Sequence, residues 1–315
     1  MSAQTDFLKG MHGFRLARQH EDLVEKAPYE KDHNLRSKTL RNGIAIIGFS
    51  VLEHFIRTRI GEILLSFNRV KTPFEDLPKK MKEVATGGAI KGIANRMKYE
   101  DDVIDFTRSE SLIVASSLKT TYQISKYSIG WDGSNLRNDD IKRIFKCFSI
   151  SSGWNSIDKL SRRLNLTIPS SKDAFENAAM RRHSAAHKIE TVIHPEHLES
   201  FVREAYIIAV GFDLLISTAY YKIYIGDNDY LNKNKKITDK DIKLRTISFD
   251  GKKWKEYRED STRAVRAART KEELWTNAFV RAKRNCEFLL CIDLEGFPSE
   301  WLFPVLLQAI SKKTK

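Results

Sequence analysis

The apolar residues Leu40, Ile44, Ile47, Val51, Phe55, Ile56, Ile60, Ile63 and Leu64 recur at close to the 3.6-residue period of an α-helix. A helix of this length buries such a stripe only against other long helices, so the segment predicts a central wall of a helical bundle. Gly43, Ala45, Gly48 and Ser50 interrupt the bulky positions and permit close approach by a neighbour.

The rest of the chain fits around that wall. Residues 1 to 35 are polar and charged, with Phe7, Leu8, Phe14 and Leu16 as scattered apolar positions, and read as a helical arm. From Asn68 to Gly92, Pro73, Pro78 and Gly87-Gly88 break regular structure into an excursion with short helices. Helical patterns follow at Glu110–Tyr127, Asn138–Phe148, Trp154–Leu164, Asp173–Thr191 and Leu198–Tyr221, with His194-Pro195 ending the fourth. The turn-rich loop Gly130–Asn135 carries Trp131, which could stack on a base, though its size better suits it to plug a local core. After Ile225 a polar linker leads to a hairpin pattern over Ile242–Tyr257, turning at Asp250-Gly251. A basic helix over Thr262–Asn285 and a buried strand from Cys286 to Leu294 complete the pattern. The expected organisation is mainly α: a helical arm (1–35), a helical bundle (36–225) and a small basic α+β C-terminal subdomain (226–315).

At 315 residues with 41% hydrophobic content, the chain can bury a real core. Its formal charge of +13 favours an anionic partner. Clusters such as Lys233–Lys236, Lys252-Lys253 and Arg281–Arg284 read first as solvated faces. Cys147, Cys286 and Cys291 are odd in number and form no CxxC pair, which argues against a disulfide framework or a zinc cage. No signal-peptide layout opens the chain, and no apolar run reaches the roughly 18 residues of a membrane span, so a cytoplasmic protein without membrane contact is expected.

The chemistry concentrates in Met180-Arg181-Arg182-His183-Ser184-Ala185-Ala186-His187-Lys188. A guanidinium neutralises phosphate, and an imidazole moves protons near neutral pH. RNA carries its own nucleophile, the 2′-hydroxyl, so cutting it requires alignment, two proton transfers and stabilisation of extra charge on the phosphate. Arg182 suits the charge and His187 the proton. Positions five apart on a regular helix differ by about 140° around its axis, whereas His183 and His187, four apart, share a face. Either the helix bends or begins near Arg182, or a second copy of the helix completes the site. Other readings stay open: a zinc site using His183 and His187 with His194 or His197, though Ser184 stands where a metalloprotease needs Glu; a plain surface patch at Arg181-Arg182; or a satisfied core histidine at His187.

The Arg182-His183-Ser184-Ala185-Ala186-His187 string, opening a late helix and followed by one more, resembles the motif of the HEPN superfamily: Arg, a polar residue, three variable residues, His. Val51-Leu52-Glu53-His54-Phe55 in the first long helix is similar to the RiboL-PSP and MAE-type branch of that superfamily. The resemblance covers roughly residues 36–222 and departs from the family in a large insertion between the first helix and the motif. It implies a HEPN-like bundle and a metal-independent endoribonuclease without cofactor. Such an enzyme leaves 2′,3′-cyclic phosphate and 5′-hydroxyl ends, acts as a homodimer through the motif helix, and serves as a toxin or antiviral-defence effector. Arg182 and His187 would be catalytic, His183 would fill the polar motif position, and Glu53 and Arg181 would support them, Arg181 as a phosphate contact. The alternatives are a non-catalytic HEPN-like module that holds RNA or a protein, and a metal-dependent hydrolase built on the histidines. The basic stretch Lys252–Arg284 would select substrate, sense a trigger or bind a neutralising partner.

Overall fold

The computed structural model describes residues 2–131, 135–259 and 261–306. The described residues form helices α1 (Ala3–Ala17), α2 (Lys31–Leu65), α3 (Lys79–Glu83), α4 (Ala89–Arg96), α5 (Val103–Ala115), α6 (Asn138–Cys147), α7 (Gly153–Arg163), α8 (Ser171–His187), α9 (Pro195–Tyr224), α10 (Asn228–Leu231) and α11 (Lys271–Asn285). Five strands complete it: β1 (Leu244–Phe249), β2 (Trp254–Arg258), β3 (Arg266–Ala268), β4 (Phe288–Ile292) and β5 (Pro298–Leu302). The fold is mainly helical with a small C-terminal sheet. No helix among the described residues is long and apolar enough to cross a membrane.

Helix α9 is the centre. Every residue from Ala205 to Tyr220 is buried, so this helix is covered on all sides, while α2 presents one face to it. On α2 that face is Gly48, Phe49, Leu52, Phe55, Ile56, Ile60, Ile63 and Leu64. Leu40 and Ile47, expected in the stripe, are 40% and 61% exposed because they lie outside this face. The N-terminal segment is firmly docked: α1 buries Ala3, Phe7, Met11 and Phe14, and Phe14 sits where a side chain at Gly48 would stand.

The sheet has the order β3-β2-β1-β4-β5, with β1 and β4 parallel across α11 and the other neighbours antiparallel. Strand alternation assigns its two faces. Leu244, Phe288, Leu290 and Trp301 join the bundle core, while Ile247, Leu289 and Cys291 pack with Leu274, Ala278 and Ala282 of α11. The docking is polar as well. Trp301 Nε1 donates to Asp213 of α9 (2.8 Å), whose other oxygen accepts from Arg59 Nε (2.7 Å), and Gln4 Nε2 donates to the Trp301 carbonyl (2.6 Å). The arm, bundle and sheet anticipated as separate segments therefore share one continuous core.

Several local expectations shift. The helix expected over Glu110–Tyr127 lies earlier, at Val103–Ala115, started by the Asp102 side chain accepting from Asp105 N (2.9 Å). It stops where Ser116 and Ser117 bond back to the carbonyls of Ile113 and Val114, competing with the helical ladder. The basic helix begins only at Lys271, capped by Thr270; the preceding Arg266–Ala268 pairs with β2 instead, a tertiary override of composition. Strand β5 escaped the sequence pattern because its five residues include Pro, Ser and Glu. Trp131 packs against Tyr127 (5.2 Å between rings) and under the Arg57 guanidinium (5.3 Å); Asp132, Gly133 and Ser134 of that loop lie outside the described residues.

One buried charge ties the connections together. Arg41 of α2 is fully buried; its Nε donates to the Ile193 carbonyl (2.6 Å), Nη1 to the Leu23 carbonyl (2.8 Å) and Nη2 to Glu25. Replacing Arg41 by Ala strands these acceptors, and the expected loss is about 3–5 kcal/mol of unfolding free energy in a denaturant titration. Ile47→Ser on the exposed side of the same helix is expected to change it by less than about 0.5 kcal/mol.

Candidate functional site

Helix α8 carries the motif, and its ends are well defined. Ser170 caps it by accepting from Asp173 N (3.2 Å), and Ser171 N and Oγ both donate to Asp158 of α7 (2.7 and 2.6 Å). The helix then runs unbroken to His187, where Lys188 turns extended and its N–H closes on the Ser184 carbonyl (2.8 Å). The motif thus closes a helix rather than opening one, and the local break offered as one way to align Arg182 with His187 is absent. The chain beyond is held by α2: Asn42 Nδ2 donates to the Thr191 carbonyl (2.9 Å), and Arg41 grips Ile193.

Arg182 and His183 line a cleft of about 550 Å³ between α8, Phe49 of α2 and the start of α6. Arg137, Asn138, Asp139, Lys142, Lys172 and Glu176 are among the other polar residues of its wall. Most charges there are already matched. Lys142 pairs with Asp139 (3.2 Å) and Lys172 with Glu176 (3.5 Å); Glu176 also accepts from Asn138, which is itself fixed by Trp154 Nε1 (2.7 Å). Arg182 differs. Its half-buried guanidinium has no hydrogen-bond or ion-pair partner among the described residues, and its Nε is shut off from solvent. A partly desolvated cation without a counter-charge is unfavourable alone and becomes favourable when an anion enters.

His187 is exposed and does not line the cleft, but its ring lies against His183 (4.7 Å between centroids, tilted 51°). The structure therefore brings Arg182 and His183 together in the cleft and joins His187 to them through the histidine ring pair, as the four-residue spacing requires.

Arg181 points elsewhere. It lines a different cavity of about 700 Å³ with Met180, Ser184, Thr191, Val192 and His197, and lies 3.5 Å from Glu204 of α9. Burial lowers the Arg181 pKa and raises that of the Glu204 carboxyl. A phosphate on Arg182 would not also reach Arg181, since adjacent helical residues diverge by about 100°. Glu53 has a supporting position of a structural kind: it accepts from Leu136 N (2.6 Å) and Arg57 Nη2 (3.0 Å), fastening the cleft wall from behind. Lys172 and Glu176 share a face of α8 with Ala179 and His183, a spacing the sequence could have shown, whereas Asn138 and Lys142 join them only through the packing of α6 on α8. His183–His187 and His194–His197 are two separate ring pairs, and no three His, Cys, Asp or Glu side chains among the described residues converge as metal ligands.

Comparison of the chain with protein-family models, with curated proteins and with solved structures finds no match.

His197 supplies a pH handle on the α8–α9 contact. Burial first, then Arg181 and His194, push its pKa below the ordinary 6.5. The folded protein therefore binds this proton less readily than the unfolded chain, so this contribution to stability is complete above pH 6.5 and declines as pH falls through 6.5 and below. Thermal unfolding followed from about pH 7 down to about pH 5 should show a shallower fall for His197→Gln than for the wild type.

Proposed function

We propose that the chain is a metal-independent endoribonuclease, and the observation that carries this reading is the unpaired, half-buried Arg182 that shares a cleft with His183, whose ring lies against His187. A scissile phosphate seated on Arg182 satisfies the guanidinium and has its developing charge neutralised as the 2′-oxygen attacks. Two imidazoles in contact supply the two proton roles: one accepts from the 2′-hydroxyl, the other donates to the departing 5′-oxygen. The products are a 2′,3′-cyclic phosphate and a 5′-hydroxyl, and DNA is spared for want of the nucleophile. Because the helix is regular, Arg182 and His187 of one chain diverge, which supports a homodimer in which two α8 ends face each other and each phosphate meets an arginine and histidines from both copies. A role as a toxin or antiviral-defence effector in the cytoplasm rests on the HEPN resemblance, as does a neutralising or sensor partner.

The position of His187 outside the cleft favours, as second reading, a scaffold that holds RNA on Arg182 without cutting it. Incubating the purified chain with total RNA and mapping end groups separates the two. Cleavage with cyclic-phosphate ends, unaffected by EDTA and lowered about 10²–10⁴-fold in His187→Ala and in Arg182→Ala, is the expected result. Binding without new ends would establish the scaffold, and full activity in both variants would refute the assignment. A stability measurement tests the same arginine independently: Arg182→Met should leave the denaturant midpoint unchanged or raise stability by about 1 kcal/mol, since it removes an uncompensated charge.

A further inference from the structure

Strand β3 forms one edge of the sheet, paired only with β2, and Arg266 and Ala267 on it are exposed. The surrounding segment, residues 261–270, contains Arg263, Arg266 and Arg269 and no acidic residue. None of these arginines has an ion-pair partner among the described residues. The register places Trp254 opposite Ala268, so the exposed Lys252 and Lys253, just before Trp254, lie towards the Arg269 end of the edge. The acid of that turn, Asp250, is already used: it accepts from the backbone N–H groups of Lys252 and Lys253 (2.9 and 2.8 Å) and pairs with Lys255 (2.7 Å).

We propose that the β3 edge is a docking surface for an extended acidic segment of a partner protein, which adds to the sheet as a sixth strand. An edge strand offers unpaired backbone donors and acceptors, and strand addition takes its affinity from that ladder. The arginines select what is added. Against a second copy of β3 they place like charges side by side and oppose self-pairing; against a Glu- or Asp-rich strand they supply charge complementarity. RNA fits this edge less well, because residues 261–270 contain no aromatic ring for a base to stack on and RNA presents no amide ladder. The small side chains of Ala264, Ala267 and Ala268 leave room for those of the incoming strand.

The test uses the full chain and fluorescence anisotropy of labelled probes: a peptide of alternating Glu and Val, its Lys–Val counterpart, the Glu–Val peptide N-methylated at alternate amides, and a uridine oligonucleotide. The Glu–Val peptide should bind with an affinity that falls as salt rises, and bind at least about ten-fold more weakly after backbone methylation or to R263E/R266E/R269E. The milder R263Q/R266Q/R269Q should show an intermediate loss, keeping the test valid if charge reversal disturbs folding. Equal binding of the Lys–Val peptide, indifference to N-methylation, or an oligonucleotide that binds through these arginines while the Glu–Val peptide does not would each overturn the proposal.

Discussion

The buried guanidinium of Arg41 is the interaction on which the site depends. It reaches the chain before α2 through Leu23 and Glu25, and the chain between α8 and α9 through Ile193. Asn42, one residue on, holds Thr191 and accepts from Ile193 N (3.3 Å). The result is that α8 has no freedom to continue past His187, and the last two turns, where Arg182, His183 and His187 sit, are aimed by contacts made on α2. A planar cation with several fixed donors suits this task, since it can satisfy two carbonyls and a carboxylate at once in a dry place.

Two neighbouring arginines on α8 illustrate how one helix serves two different environments. Arg181 is turned to α9 and lies beside Glu204; Arg182 is turned to the cleft and left without a counter-charge. The same residue type, one position apart, thus lies against a carboxylate in one case and faces a cleft without one in the other. Unmatched charge of this sort is the usual mark of a place where a protein gives up stability to bind something.

Much of the helical layout was legible in the residues. α6, α7 and α9 fall close to their periodic patterns, and the Asp250-Gly251 turn marks the β1–β2 hairpin, because each is governed by local rules of spacing and turn chemistry. What escaped is non-local. That α9 rather than α2 is buried all round follows from the sheet covering its remaining side; that Arg266–Ala268 is a strand follows from its pairing with β2. For the site, the spacing of His183 and His187 correctly implied a shared face, and that of Arg181 and Arg182 could have shown that they serve different cavities. Lys172, Glu176, Ala179 and His183 also recur at helical spacing on one face of α8, but that Asn138 and Lys142 stand opposite had no such signal, since it exists only through the packing of α6 on α8.

The placement of Trp301 bears on how this chain comes to be made. Its ring lies 6.3 Å from Phe7 and 6.2 Å from Phe55, its indole N–H is spent on Asp213, and its carbonyl holds Gln4, so one residue near the end of the sequence seals a core begun at the third residue. A chain emerging from the ribosome at about 5–20 residues per second has therefore exposed both long helices well before the side chain that closes over them arrives. The arrival of Trp301, and not the formation of α2 or α9, therefore sets when this part of the core can close.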